Sequence, residues 1–221
     1  MLNTLKVSFL ALIGIPLMSS VSHAKAIAAP IEGMALAVTP SQATVVLAGG
    51  CFWGVQAVFQ HVKGVTEVVS GYAGGSLDGA NYNAVSSGTT GHAEAVKITF
   101  DPSQISYGQL LQVYFSVAHD PTELNRQGPD HGTQYRSSVF YGNAEQQRVA
   151  QLYIAQLDRQ GDFQRPIVTQ NVPLQRFYAA EKYHQNYFNE HPDSAYIKYY
   201  DAPKLVDLQK SYPALYRSSS I

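Results

Sequence analysis

The alternation of apolar and polar positions becomes regular at Thr44. Val45-Val46-Leu47-Ala48 has no polar position to interrupt it, as in a strand buried on both faces and central in its sheet. Val55, Val58, Phe59 and Val62 then recur at i, i+3, i+4 and i+7, which predicts a helix starting near Phe52. Val65 to Tyr72 reads as a second strand, and a Gly/Ser/Asn-rich loop covers 73–92. Ala93 to Phe100 alternates sharply until Asp101-Pro102 ends the strand. Ser106 and Gln109 form a capping-box pattern that opens a helix carrying Leu110, Val113, Tyr114 and Val117. After a polar loop from His119 to Arg136, the pattern predicts a strand over Ser138–Tyr141 and a helix over Ala144–Gln160. A strand over Pro166–Val172 and a helix over Ala179–Asn189 follow. No internal repeat is visible, and this order of elements predicts an α/β or α+β two-layer domain.

The chain ahead of Thr44 changes the picture of where the protein works. Lys6 is the only charge before the apolar run Val7 to Met18, which is too short to span a bilayer, and Ser22-His23-Ala24 follows as a small-x-small cleavage site. Residues 1–24 are therefore expected to be a secretory signal, removed from a protein exported to a bacterial periplasm or secreted. No cysteine lies near the cut, so a lipid anchor there is excluded. The remaining 197 residues carry 14 basic and 16 acidic side chains, which suggests neither a nucleic-acid surface nor a membrane partner after processing. Residues 25–43 are small and mixed without a period and read as a linker. A single domain is expected over 44–216, with 217–221 a disordered tail. An exported chain meets an oxidising compartment, yet this one has a single cysteine and cannot cross-link itself. At 45% hydrophobic content a domain of this size can rely on its core.

The alternation of Ala93 to Phe100 also carries chemistry. Side chains alternate along a strand, so Glu94 shares its face with Val96, Ile98 and Phe100, while Lys97 and Thr99 share the other. Its carboxyl group points toward the core, where desolvation raises a carboxyl pKa and allows it to carry a proton near neutral pH. The alternative is a strand-end glutamate in a solvated groove or an ion pair. His92-x-Glu94 invites a zinc-deaminase reading, which fails because that chemistry needs a second motif with two cysteines and the chain has one.

Cys51 lies in Gly49-Gly50-Cys51-Phe52-Trp53-Gly54, at the mouth of a strand-to-helix turn. A lone cysteine is often only a small buried apolar residue. Here the preceding glycines let the chain turn sharply and leave the thiol uncrowded, and the helix behind it offers unpaired amides to a thiolate. That helix effect is usually below about 1 kcal/mol, so a thiol with an ordinary pKa stays mostly protonated at neutral pH. A nucleophile of this kind needs an acid to activate its substrate, and Glu94 is the candidate.

Four segments carry a family resemblance. Gly50-Cys51-Phe52-Trp53-Gly54, Gly91-His92-Ala93-Glu94-Ala95-Val96, Asp130-His131-Gly132-Thr133-Gln134-Tyr135-Arg136-Ser137 and Ala180-Glu181-Lys182-Tyr183-His184-Gln185 resemble the A-type peptide methionine sulfoxide reductases in order and spacing, from about Val45 to Pro213. The resemblance implies an α/β fold: a two-layer α+β sandwich with a central mixed sheet, flanking helices, a ferredoxin-like core and a long coiled C-terminal segment. It implies reduction of the S epimer of methionine sulfoxide in proteins, peptides or free methionine. Cys51 would attack the substrate sulfur and Glu94 would protonate the departing oxygen. Tyr82 and Tyr135 would donate hydrogen bonds to that oxygen, neutral donors that stabilise developing charge. Phe52 and Trp53 would wall the pocket for the S-methyl group, with Gly50 beside them, and Asp130 would help to organise the site.

No prosthetic group is implied, only an external thiol reductant. Many members of the family carry resolving cysteines that condense with the sulfenic acid left on the catalytic residue. This chain has none in Asp193 to Ile221, so a thioredoxin-like or glutaredoxin-like domain, or a small thiol, is expected to attack Cys51 directly. Two other classes stay open at this point: a peroxide-reducing thiol enzyme using the same cysteine, and a module that binds the sulfoxide without being recycled. The protein is expected to be a monomer. Eight of the fifteen tyrosines fall between Tyr178 and Tyr216 and read as packing of a chain end that wraps over the sheet. The histidines lack ligand spacing for a metal, and Gly71-Tyr72-Ala73-Gly74-Gly75 lacks the lysine of a phosphate loop.

Overall fold

The computed structural model describes residues 26–221. The expected signal segment lies outside these residues. Fourteen elements succeed one another among the described residues: β1 Ala43–Gly49, α1 Phe52–Gln60, β2 Val65–Ala73, α2 Tyr82–Val85, β3 Ala93–Phe100, α3 Tyr107–Val113, β4 Arg126–Gln127, β5 Asp130–His131, β6 Ser137–Tyr141, α4 Ala144–Gln160, β7 Gln170–Pro173, β8 Phe177–Ala179, α5 Tyr187–Glu190 and α6 Ala202–Ser211. Short 3₁₀ turns and two π-helical turns fill in between them.

Six strands form one curled mixed sheet in the order β7-β6-β1-β3-β2-β8, with β4 and β5 a separate small ribbon. Only β6 and β7 run parallel; every other neighbouring pair is antiparallel. The unit β1-α1-β2-β3-α3-β6, with strand order β6-β1-β3-β2, has the ferredoxin-like arrangement of two interleaved βαβ crossovers. β1 lies at the centre, as its uninterrupted apolar run predicts.

The two faces of the sheet are unequal. On one, Val45, Leu47, Val96, Ile98 and Phe100 join Val55, Val58 and Phe59 of α1, Leu110 and Leu111 of α3, and Val149, Tyr153 and Leu157 of α4 in a single large core. On the other, a thin layer of Val46, Ala48, Ala73, Ala93, Ala95 and Phe140 is covered by Val172, Leu174 and Phe177. Glu94 therefore points to the helix-covered face, while Lys97 on the opposite face stands with its Nζ 5.7 Å from the centre of the Phe177 ring.

The capping box is present: the Ser106 side chain accepts from the Gln109 amide and Gln109 returns a bond to the Ser106 amide. The helix that it opens loosens after Val113 into a π-helical turn, Tyr114–Ala118, which lets the Tyr114 hydroxyl donate to the Ala48 carbonyl at 2.6 Å. α4 has the bounds that its pattern predicts, from the Asn143 cap to a left-handed Gly161.

Three expectations need correction. The helix expected over Ala179–Asn189 is broken into the edge strand β8, a 3₁₀ turn Lys182–His184 and the single turn α5. Asn186 takes a left-handed conformation, φ 57°, between the last two. A continuous helix would carry the side chains of Glu181, His184 and Gln185 away from the backbone and ring groups that they bond. The strand expected from Pro166 pairs with β6 only from Gln170, because the chain before it turns aside to bond the Pro121 carbonyl and the Asp158 carboxylate. The third concerns the two ends. Residues 26–42 are irregular but lie against α3 and α4, with the Ile27 carbonyl accepting from Gln112 and the Ala28 carbonyl from Tyr153. The last residues return to α1, where Arg217 and Ile221 donate to the His61 and Gln60 carbonyls. No described helix is long and apolar enough to cross a membrane.

Candidate active site

β1 delivers the chain to Gly49, and the turn into α1 is made at Gly50, where φ is 89°. A side chain there would be strained by that conformation and would meet the Gln127 side chain at 2.6 Å. Gly50 is thus the turn behind the pocket and lines none of it, which corrects its expected place in substrate binding. Cys51 caps α1 and is only 8% exposed. Beyond α1, β2 and α2 in sequence, Glu94 is the second residue of β3 and 2% exposed, with Oε2 accepting from the Phe52 amide at 3.1 Å. The first free amide of α1 is therefore occupied by the acid, and the Trp53 amide is the one that assists the thiol.

Burial raises the Glu94 pKa to about 8; the Phe52 amide opposes that rise and the Asp130 charge adds to it. The carboxyl group thus holds its proton at neutral pH. Burial, then the charges of Glu94 and Asp201, push the Cys51 thiol well above its ordinary range against the pull of the Trp53 amide. Both partners rest in their neutral forms.

Around this pair closes a cavity of about 210 Å³, lined by Cys51, Phe52, Trp53, Tyr82, Glu94, Asp130, Tyr135 and Tyr196. Seven of these are the residues that the sequence pointed to. Tyr82 opens α2, set by the Asn81 cap, and its amide donates to Glu181 Oε1 at 2.9 Å. Tyr135 ends the 3₁₀ turn Thr133–Tyr135. Burial, with the neighbouring acidic groups, holds both phenols above their ordinary pKa, so they stay proton donors. Trp53 stacks on Tyr187 at 3.7 Å between ring centres and meets Tyr196 edge-on at 5.8 Å.

Tyr196 is the lining residue that sequence reasoning missed, since it is one of eight tyrosines in a stretch read as packing. Its hydroxyl donates to Asp130 Oδ2 and fixes that carboxylate at the rim. Asp201 was also missed. It is fully buried beside Gly54, pairs with Lys204 Nζ at 3.2 Å, and has one carboxyl oxygen without a partner among the described residues. A side chain on Gly54 would come within 2.0 Å of Asp201 Oδ1, which gives the second glycine of the Cys51 motif its physical reason. Only three-dimensional proximity could have found that contact. His92, by contrast, is structural: its ring nitrogens bond the Ser76 carbonyl and the Gly75 amide. No group of three metal-ligating side chains occurs among the described residues.

The family model described as peptide methionine sulfoxide reductase matches residues 43–215. The chain belongs to the peptide methionine sulfoxide reductase family. Among its relatives, peptide methionine sulfoxide reductase MsrA 2 of Mesorhizobium japonicum is 56% identical over 182 residues, covering 82% of this chain and 93% of that protein. MsrA of Trichodesmium erythraeum is 51% identical, covering 77% and 96%. Among solved structures, methionine sulfoxide reductase A of Corynebacterium diphtheriae superposes with a TM-score of 0.60 at 32% identity, over 71% of this chain and 78% of that one. Reduced Mxr1 of Saccharomyces cerevisiae gives 0.62 at 29%, over 74% and 92%. The protein is an oxidoreductase of the A-type methionine sulfoxide reductases, and its central curled sheet flanked by helices is the fold of that family.

Proposed function

We propose that the protein repairs the S epimer of methionine sulfoxide by a mechanism with one protein thiol, on exported proteins, peptides or free methionine. The observation that supports it most is that the buried Glu94 carboxyl, whose pKa burial raises to about 8, lines the same cavity as the Cys51 thiol. As the thiol sulfur bonds the sulfoxide sulfur, Glu94 gives its proton to the oxygen, and the S–H proton of Cys51 restores the acid. Tyr82 and Tyr135 stabilise charge on that oxygen, and Phe52 and Trp53 receive the S-methyl group. The protonated oxygen then passes to the Cys51 sulfur as the sulfoxide S–O bond and the new bond between the two sulfurs break, so that methionine leaves and Cys51 is left oxidised as the sulfenic acid.

Recycling then takes two external thiols. The first forms a mixed disulfide with Cys51 and releases water. The second reduces that disulfide and leaves with its sulfur bonded to the first. With one cysteine in the whole chain no internal disulfide competes. A thioredoxin-like or glutaredoxin-like envelope domain fits this need, as does a small thiol. Export is supported by the apolar run Val7–Met18 and the Ser22-His23-Ala24 site. Turnover of each sulfoxide epimer with varied thiol donors tests the reading. It expects repeated turnover of the S epimer, and mass spectrometry without reductant should find one added oxygen on Cys51. Peroxide consumption faster than sulfoxide turnover, or a single turnover with every donor, would instead favour a peroxidase or a binding module.

A further inference from the structure

The segment Ala180-Glu181-Lys182-Tyr183-His184-Gln185 contributes no side chain to the cavity, yet three of its residues hold the elements that do. Gln185 bonds both the amide and the carbonyl of Ser70 in β2, at 2.9 Å each, and reaches Gln56 of α1. Glu181 accepts from the Tyr82 amide through one oxygen and from the Tyr72 hydroxyl through the other, at 2.9 and 2.8 Å. His184 sits between them, 2% exposed. Its Nδ1 receives the Trp53 indole N–H at 3.1 Å, and its ring centre lies 5.0 Å from that of Phe52 and 4.4 Å from that of Tyr82.

We propose that His184 is a positioning residue for sulfoxide binding: as a neutral hydrogen-bond acceptor it fixes the Trp53 indole, and as a wedge against the Phe52 ring it holds the second member of the wall that receives the substrate's S-methyl group. The inference rests on the proposed role of Phe52 and Trp53 as the methyl-binding wall. The tautomer follows from the donor. An indole N–H can only donate, so Nδ1 must present a lone pair and the ring proton must sit on Nε2. With Nε2 already carrying the ring proton, a second proton could only go on Nδ1, where it would break the bond to Trp53. Burial accordingly depresses the His184 pKa, against the nearby Glu181 charge. Without the bond, the indole keeps its stack on Tyr187 but loses the contact that fixes its rotation in the plane of that stack.

Trp53 is the only tryptophan in the chain, so its indole proton gives one signal in a proton–nitrogen correlation spectrum of the full protein. In the wild type the histidine nitrogen shifts should identify His184 as protonated on Nε2 alone. His184→Leu should move the indole signal upfield. It should also raise KM for free methionine sulfoxide about tenfold, the worth of one hydrogen bond, with the saturated single-turnover rate changed far less. His184→Asn, whose side-chain oxygen can stand near the position of Nδ1, should restore most of both. The proposal is overturned if the wild type carries its proton on Nδ1, a measurement that needs no variant to fold. It is likewise overturned by an indole signal unmoved in His184→Leu, or by equal KM values in the Leu and Asn variants. An indole signal that responds as expected in a protein that turns over neither sulfoxide epimer would support the placement of His184 while counting against the functional reading.

Discussion

The cavity is built by two regions on opposite plans. The Cys51–Glu94 pole stands at the ends of β1 and β3, where ladder bonds such as Leu47 to Val96 fix the backbone and the surrounding side chains are almost wholly buried. The C-terminal wrap, from Ala180 to Tyr216, has little ladder of its own. It is tied down by single side chains, with Gln185 on Ser70, Glu181 on Tyr82 and Tyr196 on Asp130. In the proposed mechanism bond making is thus placed where the sheet ladder fixes the backbone and small displacements are most costly, while the setting of the Phe52 and Trp53 wall is left to side chains of the wrap that can be adjusted one by one.

The sharpest way to break this division is at the pole. Cys51→Ser should abolish sulfoxide reduction in a protein that still folds, since the hydroxyl is a far weaker nucleophile in so acidic a pocket; any repeated turnover in that variant would remove Cys51 from the chemistry. Glu94→Gln keeps an acceptor for the Phe52 amide but removes the proton, and should slow single-turnover methionine formation by about two decades or more. In the wild type the rate should fall as pH rises through about 8, where Glu94 ionises, and that limb should vanish in the glutamine variant.

Stability gives the same residue a second test. The native state holds the Glu94 proton between 4.5 and about 8 while the unfolded chain has lost it, so this group's contribution is greatest below 4.5, declines as pH rises and levels off above 8. Thermal melts should therefore show Glu94→Gln gaining on the wild type between pH 5 and pH 9, by roughly ten degrees. A constant gap across that range would mean that Glu94 is not protonated in the native state.

Next in size come the phenols. Tyr82→Phe and Tyr135→Phe should each cost about tenfold in the chemical step, the worth of one neutral hydrogen bond to the oxygen. Little change in sulfoxide KM should accompany that loss, which separates these donors from the aromatic wall. A KM effect without a rate effect would transfer the tyrosines from the pole to the wrap.

The two regions also differ in how far the sequence disclosed them. The strand face of Glu94 follows from strict alternation, and the turn at Cys51 from two glycines between an apolar run and a helical period. Both are local signals that tertiary contacts reinforce. In the wrap, Ala179–Asn189 has apolar spacing that suits a helix, but the chain gives that helix up because Gln185 and Glu181 bond more groups in the broken form. Nothing local marks Tyr196 among eight tyrosines, or ties Asp201 to Gly54 across well over a hundred residues. Long-range side-chain bonds leave no period to read.

Gly54 tests the contact between the two regions. Alanine in a helix interior normally stabilises by about 0.5–1 kcal/mol relative to glycine. At this position the added methyl would stand 2.0 Å from Asp201 Oδ1 and 2.7 Å from Lys204 Nζ, so the sign should reverse. Overpacking of this kind costs roughly 1–3 kcal/mol, read as a lower denaturant midpoint at unchanged slope. A stabilised Gly54→Ala would show that α6 stands further from α1 than the ion pair beside it implies.

The smallest effect belongs to Asn186, which lies wholly within the wrap. Its φ of 57° is left-handed, a conformation that costs a residue other than glycine or asparagine roughly 1–2 kcal/mol. Asparagine already tolerates this conformation, so Asn186→Gly gains little and slightly widens the unfolded ensemble, and the midpoint should fall only a little. Asn186→Ala keeps a Cβ without the short polar side chain that eases the conformation and bonds Asn189, and should lose about 1 kcal/mol. The backbone amide of residue 186 donates to Gln56 in every variant, so α1 and its catalytic turn stay in place. The single-turnover rate should accordingly be unchanged in both variants, while the alanine form melts earlier. A fall in that rate in proportion to the lost stability would mean that the wrap and the pole move as one body, and that the division of labour between them is only one of sequence.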